Sequence, residues 1–323
     1  MKAVVLISGR AEWADVPIPR LASQQVLVRV RAAALNRVDL LVLGGTAHGS
    51  RGGDGTVLGV EWAGDVEAVS DDVTDWKVGD RVMGSGPAAF AELTAAPAYR
   101  LLPLPANMSY EQGAVLPVGM QTMHDALASN AQIQPGHSVF MQGASSGMGL
   151  LGMQIAKLLG ASQVIGSTRN AQSAARLAAY GADAVVNTST PDWVQAVLER
   201  TGQRGVDAAV DMVAGPLVNA LMECIQPGGA LVNVGRVGGE QGRFDFDLHS
   251  QRRIRYFGVS FRSRTPEQVA NVVSKARADL YAPMRAGRLQ VPIDSTFRMA
   301  DAGEALARMA LNRHFGKIVL TSA

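Results

Sequence analysis

The chain has 323 residues, 47% of them hydrophobic and 18% charged, which supplies two cores at roughly 150 residues per domain and excludes a highly solvated, disordered chain. Lys plus Arg number 30 against 28 Asp plus Glu, a net charge of +2, and the cluster of Arg252, Arg253 and Arg255 is too short for a nucleic-acid footprint. The single cysteine, Cys224, excludes an intramolecular disulfide and a multi-cysteine zinc site and fits a reducing, cytoplasmic setting.

The first residues, Met1-Lys2-Ala3-Val4-Val5-Leu6-Ile7, form an apolar run too short for a secretory signal and read as a strand. No apolar run approaches the ~20 residues of a membrane span. Up to about residue 113, short β-like runs are punctuated by Gly and Pro. They include a strand over 25–30, a loop at Gly52-Gly53-Asp54-Gly55, a strand pair over 57–69, and the turn into a strand Val78-Gly79-Asp80-Arg81-Val82. This spacing predicts an antiparallel or barrel-like β domain.

From about 121 to 261 the texture changes. Apolar strands at 139–142, 163–166, 183–186, 206–212 and 230–234 alternate with helices at 149–159, 171–180, 192–201 and 216–226, and 256–261 adds a last strand. Alternation of this kind predicts βαβ units around a doubly wound parallel sheet. Helices follow over 266–281 and 300–311. The closing strand Gly316-Lys317-Ile318-Val319-Leu320 is assigned back to the first domain. The expected division is 1–120 with 262–323, against 121–261.

The strand over 139–142 runs into Gly143-Ala144-Ser145-Ser146-Gly147-Met148-Gly149 and then a helix, the context a dinucleotide fingerprint requires. Small residues let the backbone approach a pyrophosphate, and free N–H groups at the helix start favour its charge. Ala144, Ser145, Ser146, Gly147, Met148 and Gly149 are therefore candidate cofactor contacts. After the next strand stands Ser167-Thr168-Arg169, where a site for NAD usually places a carboxylate. Two hydroxyls and a guanidinium suit a 2′-phosphate instead, which points to NADPH.

Together with Asn36-Arg37-Val38-Asp39, Leu58-Gly59-Val60-Glu61-Trp62-Ala63-Gly64 and the motifs at 78–82 and 316–320, this turn gives five motifs in order. The chain resembles the zinc-independent, zeta-crystallin-like quinone oxidoreductases of the medium-chain dehydrogenase/reductase superfamily. The resemblance implies an α/β protein: a GroES-like β-barrel catalytic domain plus a Rossmann domain, with cofactor and substrate in the cleft between them. It also implies a homodimer through the edge strand over 256–261. Zinc-dependent relatives carry Cys where Asn36 stands and His where Val60 stands, so no metal is expected. The resemblance places Asn36, Thr122, Val213, Gly235 and Arg313 at the cofactor.

The expected reaction is hydride transfer from NADPH to a quinone or an activated, α,β-unsaturated carbonyl alkene, without zinc. Relatives often carry a Tyr soon after N-x-x-D; here that stretch reads Gly44-Gly45-Thr46-Ala47-His48. His48 is the nearest substitute for a proton donor, and Asn36, whose amide both donates and accepts, is the second candidate catalytic residue. Asp39 is expected to cap or brace its loop, and His124 to pack or cap. The competing reading is a non-catalytic NADPH-binding, crystallin-like or RNA-binding protein.

Overall fold

A computed structural model describes residues 1–46 and 52–322. In chain order the elements begin with β1 (Lys2–Ile7), β2 (Arg10–Asp15), β3 (Gln25–Ala34), α1 (Arg37–Leu43), β4 (Glu61–Val69), β5 (Arg81–Ser85), β6 (Leu93–Pro97), β7 (Leu101–Pro103) and α2 (Tyr110–Ala114). Next come α3 (Pro117–His124), β8 (Ser138–Gln142), α4 (Gly147–Leu158), β9 (Gln163–Ser167), α5 (Ala171–Ala174), β10 (Ala184–Val186) and α6 (Trp193–Arg200). The remainder are β11 (Val206–Asp211), α7 (Val218–Glu223), β12 (Ile225–Asn233), α8 (Phe246–Arg252), β13 (Arg255–Gly258), α9 (Pro266–Arg285), β14 (Ile293–Arg298), α10 (Ala302–Ala310) and β15 (Lys317–Thr321).

The chain divides into two compact units. The first comprises Met1–Val118, Arg262–Ala278 and Val291–Ala323; the second comprises Gly119–Phe261 and Asp279–Gln290. The second thus takes a segment, 279–290, that the sequence pattern assigns to the first. Two bonds tie its end down: Gln290 N–H donates to Gln154 Oε1 at 2.9 Å, and Gln154 Nε2 donates to the Gln290 carbonyl at 2.8 Å.

In the first unit a seven-stranded sheet runs β14-β15-β3-β4-β5-β7, with β6 also on β3. Every pairing in it is antiparallel except β14 with β15. The closing strand belongs here because β15 pairs with β3, Val319 opposite Ala34 and Leu320 opposite Ala33. Alternate residues Val26, Val28 and Val30 turn into a core with Trp62, Val82, Ile318 and Leu320, the period-2 pattern of a sheet with one buried face.

In the second unit six parallel strands run β10-β9-β8-β11-β12-β13. Chain order reverses between β8 and β11, and in such sheets ligands bind beyond the carboxyl ends of the strands at that switch point. The core gathers Phe140, Ile165, Val197, Ala209 and Leu231, and Phe140 stacks on Trp193 with ring centroids 5.8 Å apart.

Some expected elements break up. The helix over 171–180 splits into α5 and a 3₁₀ turn, Leu177–Tyr180. Only Leu177 of that stretch is fully buried, so little apolar surface holds a continuous helix there. The segment 216–226 yields the short α7, and β12 starts at Ile225, absorbing the Gly228-Gly229 pair across a register irregularity with β11. Only 61–69 of the expected strand pair is strand, and Val57 makes an isolated bridge to Val5. Among the described residues no helix is long and apolar enough to cross a membrane.

Candidate functional site

In the second unit, β8 leads into the glycine turn at the switch point. Gly143 has φ +76°, a left-handed conformation that side chains disfavour. Its N–H donates to Ser167 Oγ at 3.0 Å, and Ser167 in turn donates to Gln142 Oε1 at 3.1 Å. Ser146 caps α4: its Oγ accepts from Gly149 N–H at 3.1 Å and donates to the Gly143 carbonyl at 2.9 Å. A Cβ on Gly149 would lie 2.6 Å from both the Ala144 Cα and the Gly143 carbonyl oxygen. Glycine is therefore what lets the helix close against the turn. The N–H groups of Gly147 and Met148, the first two residues of α4, have no intrahelical acceptor. The helix start is thus a place where an anion finds donors.

The turn also redefines Ser167 and Thr168. Ser167 is buried and its hydroxyl is spent on Gly143 and Gln142. Thr168 is buried as well; it donates to Ser145 Oγ at 3.3 Å and accepts from Asn170 N–H at 3.3 Å. Both hydroxyls brace the turn, a structural commitment beyond the phosphate contact expected of them. Arg169 is exposed and pairs with no carboxylate among the described residues. Beside the turn, Asp211 Oδ1 accepts from Val213 N–H at 2.8 Å and Ala214 N–H at 2.9 Å, and burial pushes its carboxyl upward. Gly235 N–H donates to the Asp211 carbonyl at 3.2 Å. Val213 and Gly235 thus sit on loops beyond β11 and β12, at the same end of the sheet as the turn. Thr122 is buried in α3; two residues on, buried His124 places Nε2 2.7 Å from Asp279 Oδ2, a packing role.

In the first unit, strand register gathers the other motifs. Val319 opposite Ala34 carries Lys317 to the level of Asn36, and Trp62 opposite Ala33 carries Glu61 to the level of Ala34. Glu61 and Lys317 are buried and paired. The Lys317 ammonium donates to Glu61 Oε1, to Asn36 Oδ1 at 2.7 Å and to the Leu35 carbonyl at 3.1 Å, which uses its three protons. Asn36 Nδ2 donates to Glu61 Oε1 at 2.8 Å and the Ala34 carbonyl at 3.2 Å. Glu61 Oε2 accepts from Val118 N–H at 3.0 Å. Asp39 Oδ2 accepts from Asn36 N–H at 2.7 Å, so Asp39 braces the loop as expected.

Both amide hydrogens of Asn36 are committed, so of the donating and accepting ends expected of it only the accepting one is left for a ligand. His48, the other candidate catalytic residue, lies outside the described residues. Arg313 is exposed. Sequence reasoning missed Arg37, whose guanidinium is half-buried, meets no carboxylate among the described residues, and donates to Asn312 Oδ1 at 2.7 Å. Burial lowers its pKa, and burial followed by the charge of Arg37 lowers that of His314. The signal was an arginine inside the N-x-x-D motif.

Two family models match the chain: the alcohol dehydrogenase GroES-like domain over residues 22–106 and the zinc-binding dehydrogenase over 147–277. A quinone oxidoreductase of Pseudomonas aeruginosa is 30% identical over 317 residues, covering 96% of this chain and 94% of that protein. A highly reducing polyketide synthase of Glarea lozoyensis is 30% identical over 94% of this chain, which spans only 12% of that protein. The solved structure of a mycobacterial protein complexed with NADPH superposes with a TM-score of 0.88 at 26% identity, covering 99% of this chain and 100% of that one. The chain belongs to the zinc-independent quinone oxidoreductase branch of the medium-chain dehydrogenase/reductase superfamily. It is an oxidoreductase with a nicotinamide-nucleotide-binding fold.

The residues do not fit the zinc that the second model's name implies. Val60 cannot ligate, the oxygens of Asn36 and Glu61 hold an ammonium, and among the described residues no three His, Cys, Asp or Glu side chains gather. They do fit a dinucleotide: a turn of small residues, a side-chain-free contact at Gly149 and unpaired first-turn amides at the switch point.

Proposed function

We propose that this protein is an NADPH-dependent, metal-free reductase of quinones or of alkenes conjugated to a carbonyl. The observation that carries the reading is the strand–turn–helix at 138–158, closed by Gly149 on Ala144, in a chain alike over its length to a quinone oxidoreductase. Bound NADPH supplies a hydride. The amides of Gly147 and Met148 hold the pyrophosphate, with Ala144, Ser145 and Ser146 shaping the turn around it. Arg169 meets the 2′-phosphate as a charge-assisted donor. Thr122, Val213, Gly235 and Asn36 contact the nicotinamide half, and Arg313 adds positive charge for the anionic cofactor. His48 orients the acceptor carbonyl or protonates the product oxygen; where it does not, water does, and the acceptor must be strongly electrophilic.

The same reading includes a homodimer through β13 in a cytoplasmic setting. Among the described residues the outer edge of β13 has no partner strand, a template for pairing. Beside it, exposed Tyr256 stacks on Phe244 with centroids 5.9 Å apart, and Phe246 is exposed.

The test follows oxidation of NADPH and of NADH in parallel, with 1,4-benzoquinone, 9,10-phenanthrenequinone, an enal and an enone as acceptors. The reading expects turnover of at least one acceptor with NADPH preferred. Absence of turnover with every acceptor, at a nucleotide concentration that saturates binding, leaves the binding-protein alternative.

A further inference from the structure

We propose that Lys317 and Glu61 are positioning residues that fix the polarity of the Asn36 amide, so that Asn36 meets a ligand only as a hydrogen-bond acceptor. The proposal rests on the functional reading above only in taking that ligand to be the reduced nucleotide. An asparagine amide has a donating end and an accepting end of nearly equal shape. What orients it is the chemistry of its neighbours. An ammonium can only donate, and an ionised carboxylate can only accept. Here the ammonium of Lys317 stands 2.7 Å from Oδ1, and the Glu61 carboxylate stands 2.8 Å from Nδ2. Turning the amide over would set NH₂ against an ammonium and C=O against a carboxylate, two repulsive contacts out of water. The Ala34 carbonyl, at 3.2 Å, takes the other amide hydrogen.

Oδ1, which also faces the Asp39 N–H in the capping box of α1, is the one polar end of the Asn36 amide with no proton to commit, and Asn36 is 7% exposed. An accepting oxygen suits a hydroxyl or an amide N–H: chemically, a ribose hydroxyl or the nicotinamide carboxamide. It cannot stabilise the oxygen on which negative charge develops as an acceptor is reduced. Asn36 therefore acts on cofactor binding and leaves the charge-developing oxygen to other groups. Neither Lys317 nor Glu61 touches the ligand; both act through Asn36.

The experiment compares Asn36→Ala with the double variant Lys317→Met/Glu61→Met. Replacing a buried ion pair by apolar side chains of similar length is commonly tolerated, so the double variant keeps the fold while releasing the amide. Both variants are expected to raise the KM for NADPH about tenfold, the weight of one hydrogen bond. In both, the rise in KM should exceed any fall in kcat measured at saturating NADPH, because the contact is made in cofactor binding. A wild-type NADPH KM in the double variant, beside a raised KM in Asn36→Ala, overturns the positioning role. A fall in kcat with unchanged KM in Asn36→Ala overturns the acceptor-only role. A wild-type Asn36→Ala enzyme overturns the ligand contact itself.

A second readout needs no nucleotide. The side-chain NH₂ resonances of Asn36, assigned by their loss in Asn36→Ala, should exchange slowly with solvent in the wild-type protein and faster in the double variant. Rapid exchange in the wild type overturns the lock even where NADPH binding, and with it the functional reading, also fails.

Discussion

At the glycine turn of the second unit the backbone itself presents the polar groups, whereas in the first unit the strand ends are tied together by full charges held out of water. The turn works by omission: no Cβ at Gly149, left-handed backbone at Gly143, and no intrahelical acceptor for the amides of Gly147 and Met148. The strand-end cluster works by saturation: every proton of Lys317 and both amide protons of Asn36 have an acceptor. An open set of donors is suited to a ligand, and a closed set fixes the side chains it ties together. The two regions should therefore respond differently to damage, the turn by losing affinity with the fold kept and the cluster by losing stability wherever one charge is left without its partner.

The largest effect that would break this contrast concerns Gly149→Val. With Cβ placed 2.6 Å from the Ala144 backbone, the variant should show no measurable NADPH affinity by calorimetry while remaining folded by circular dichroism; retained affinity would remove the turn from the binding site. Next comes Lys317→Met alone. It leaves the Glu61 carboxylate buried without its cation, and denaturant unfolding should report a loss of about 3–5 kcal/mol. A loss under about 1 kcal/mol would mean that water reaches the cluster.

Smaller is Arg169→Ala, expected to raise the KM for NADPH about tenfold through one lost charge-assisted contact and to leave NADH use nearly unchanged. Equal effects on both nucleotides would show that Arg169 does not read the 2′-phosphate. The smallest effect is on pH dependence. Burial depresses the His314 pKa below its usual 6.5, so the folded state resists a proton that the unfolded chain accepts. Stability supplied by the neutral ring is present above pH 6.5 and is lost as the pH falls through the lower, folded-state value. His314→Asn should flatten the decline of melting temperature on acidification from pH 7 to 5; an unaltered slope would assign that decline to other groups.

How much of this was legible beforehand differs between the regions in the same way. The glycine turn could be read directly, because strand, turn and helix are contiguous and local spacing carries the geometry. The return of 317–321 to the first domain was legible from its distance to the turn. The meeting of Asn36, Glu61 and Lys317 was not, because strand register over 256 residues of separation sets it, and no local pattern encodes register. The bracing bonds of Ser167 and Thr168 were hidden for a related reason. Their hydroxyls suit a phosphate by type, but Gln142 and the turn, 23 to 25 residues earlier, claim them. The fragmentation of 171–180 was hidden by alanines, which favour helix locally while offering little to bury. His124 read correctly as a packing residue once its place in α3 was allowed for.

The pairing of β15 with β3 also dictates an order of events during synthesis on the ribosome. Glu61 leaves the exit tunnel 256 residues before Lys317, a delay on the order of 10–50 s at cellular elongation rates. Throughout that interval the edge of β3 that β15 will cover stays bare and a carboxylate destined for the interior lacks its cation. The parallel-sheet unit, whose strands all lie within 138–258, is in hand before the earlier-made strands can close. Translation thus completes the strands of the parallel sheet first, and the later-made β15 then covers the earlier-made β3.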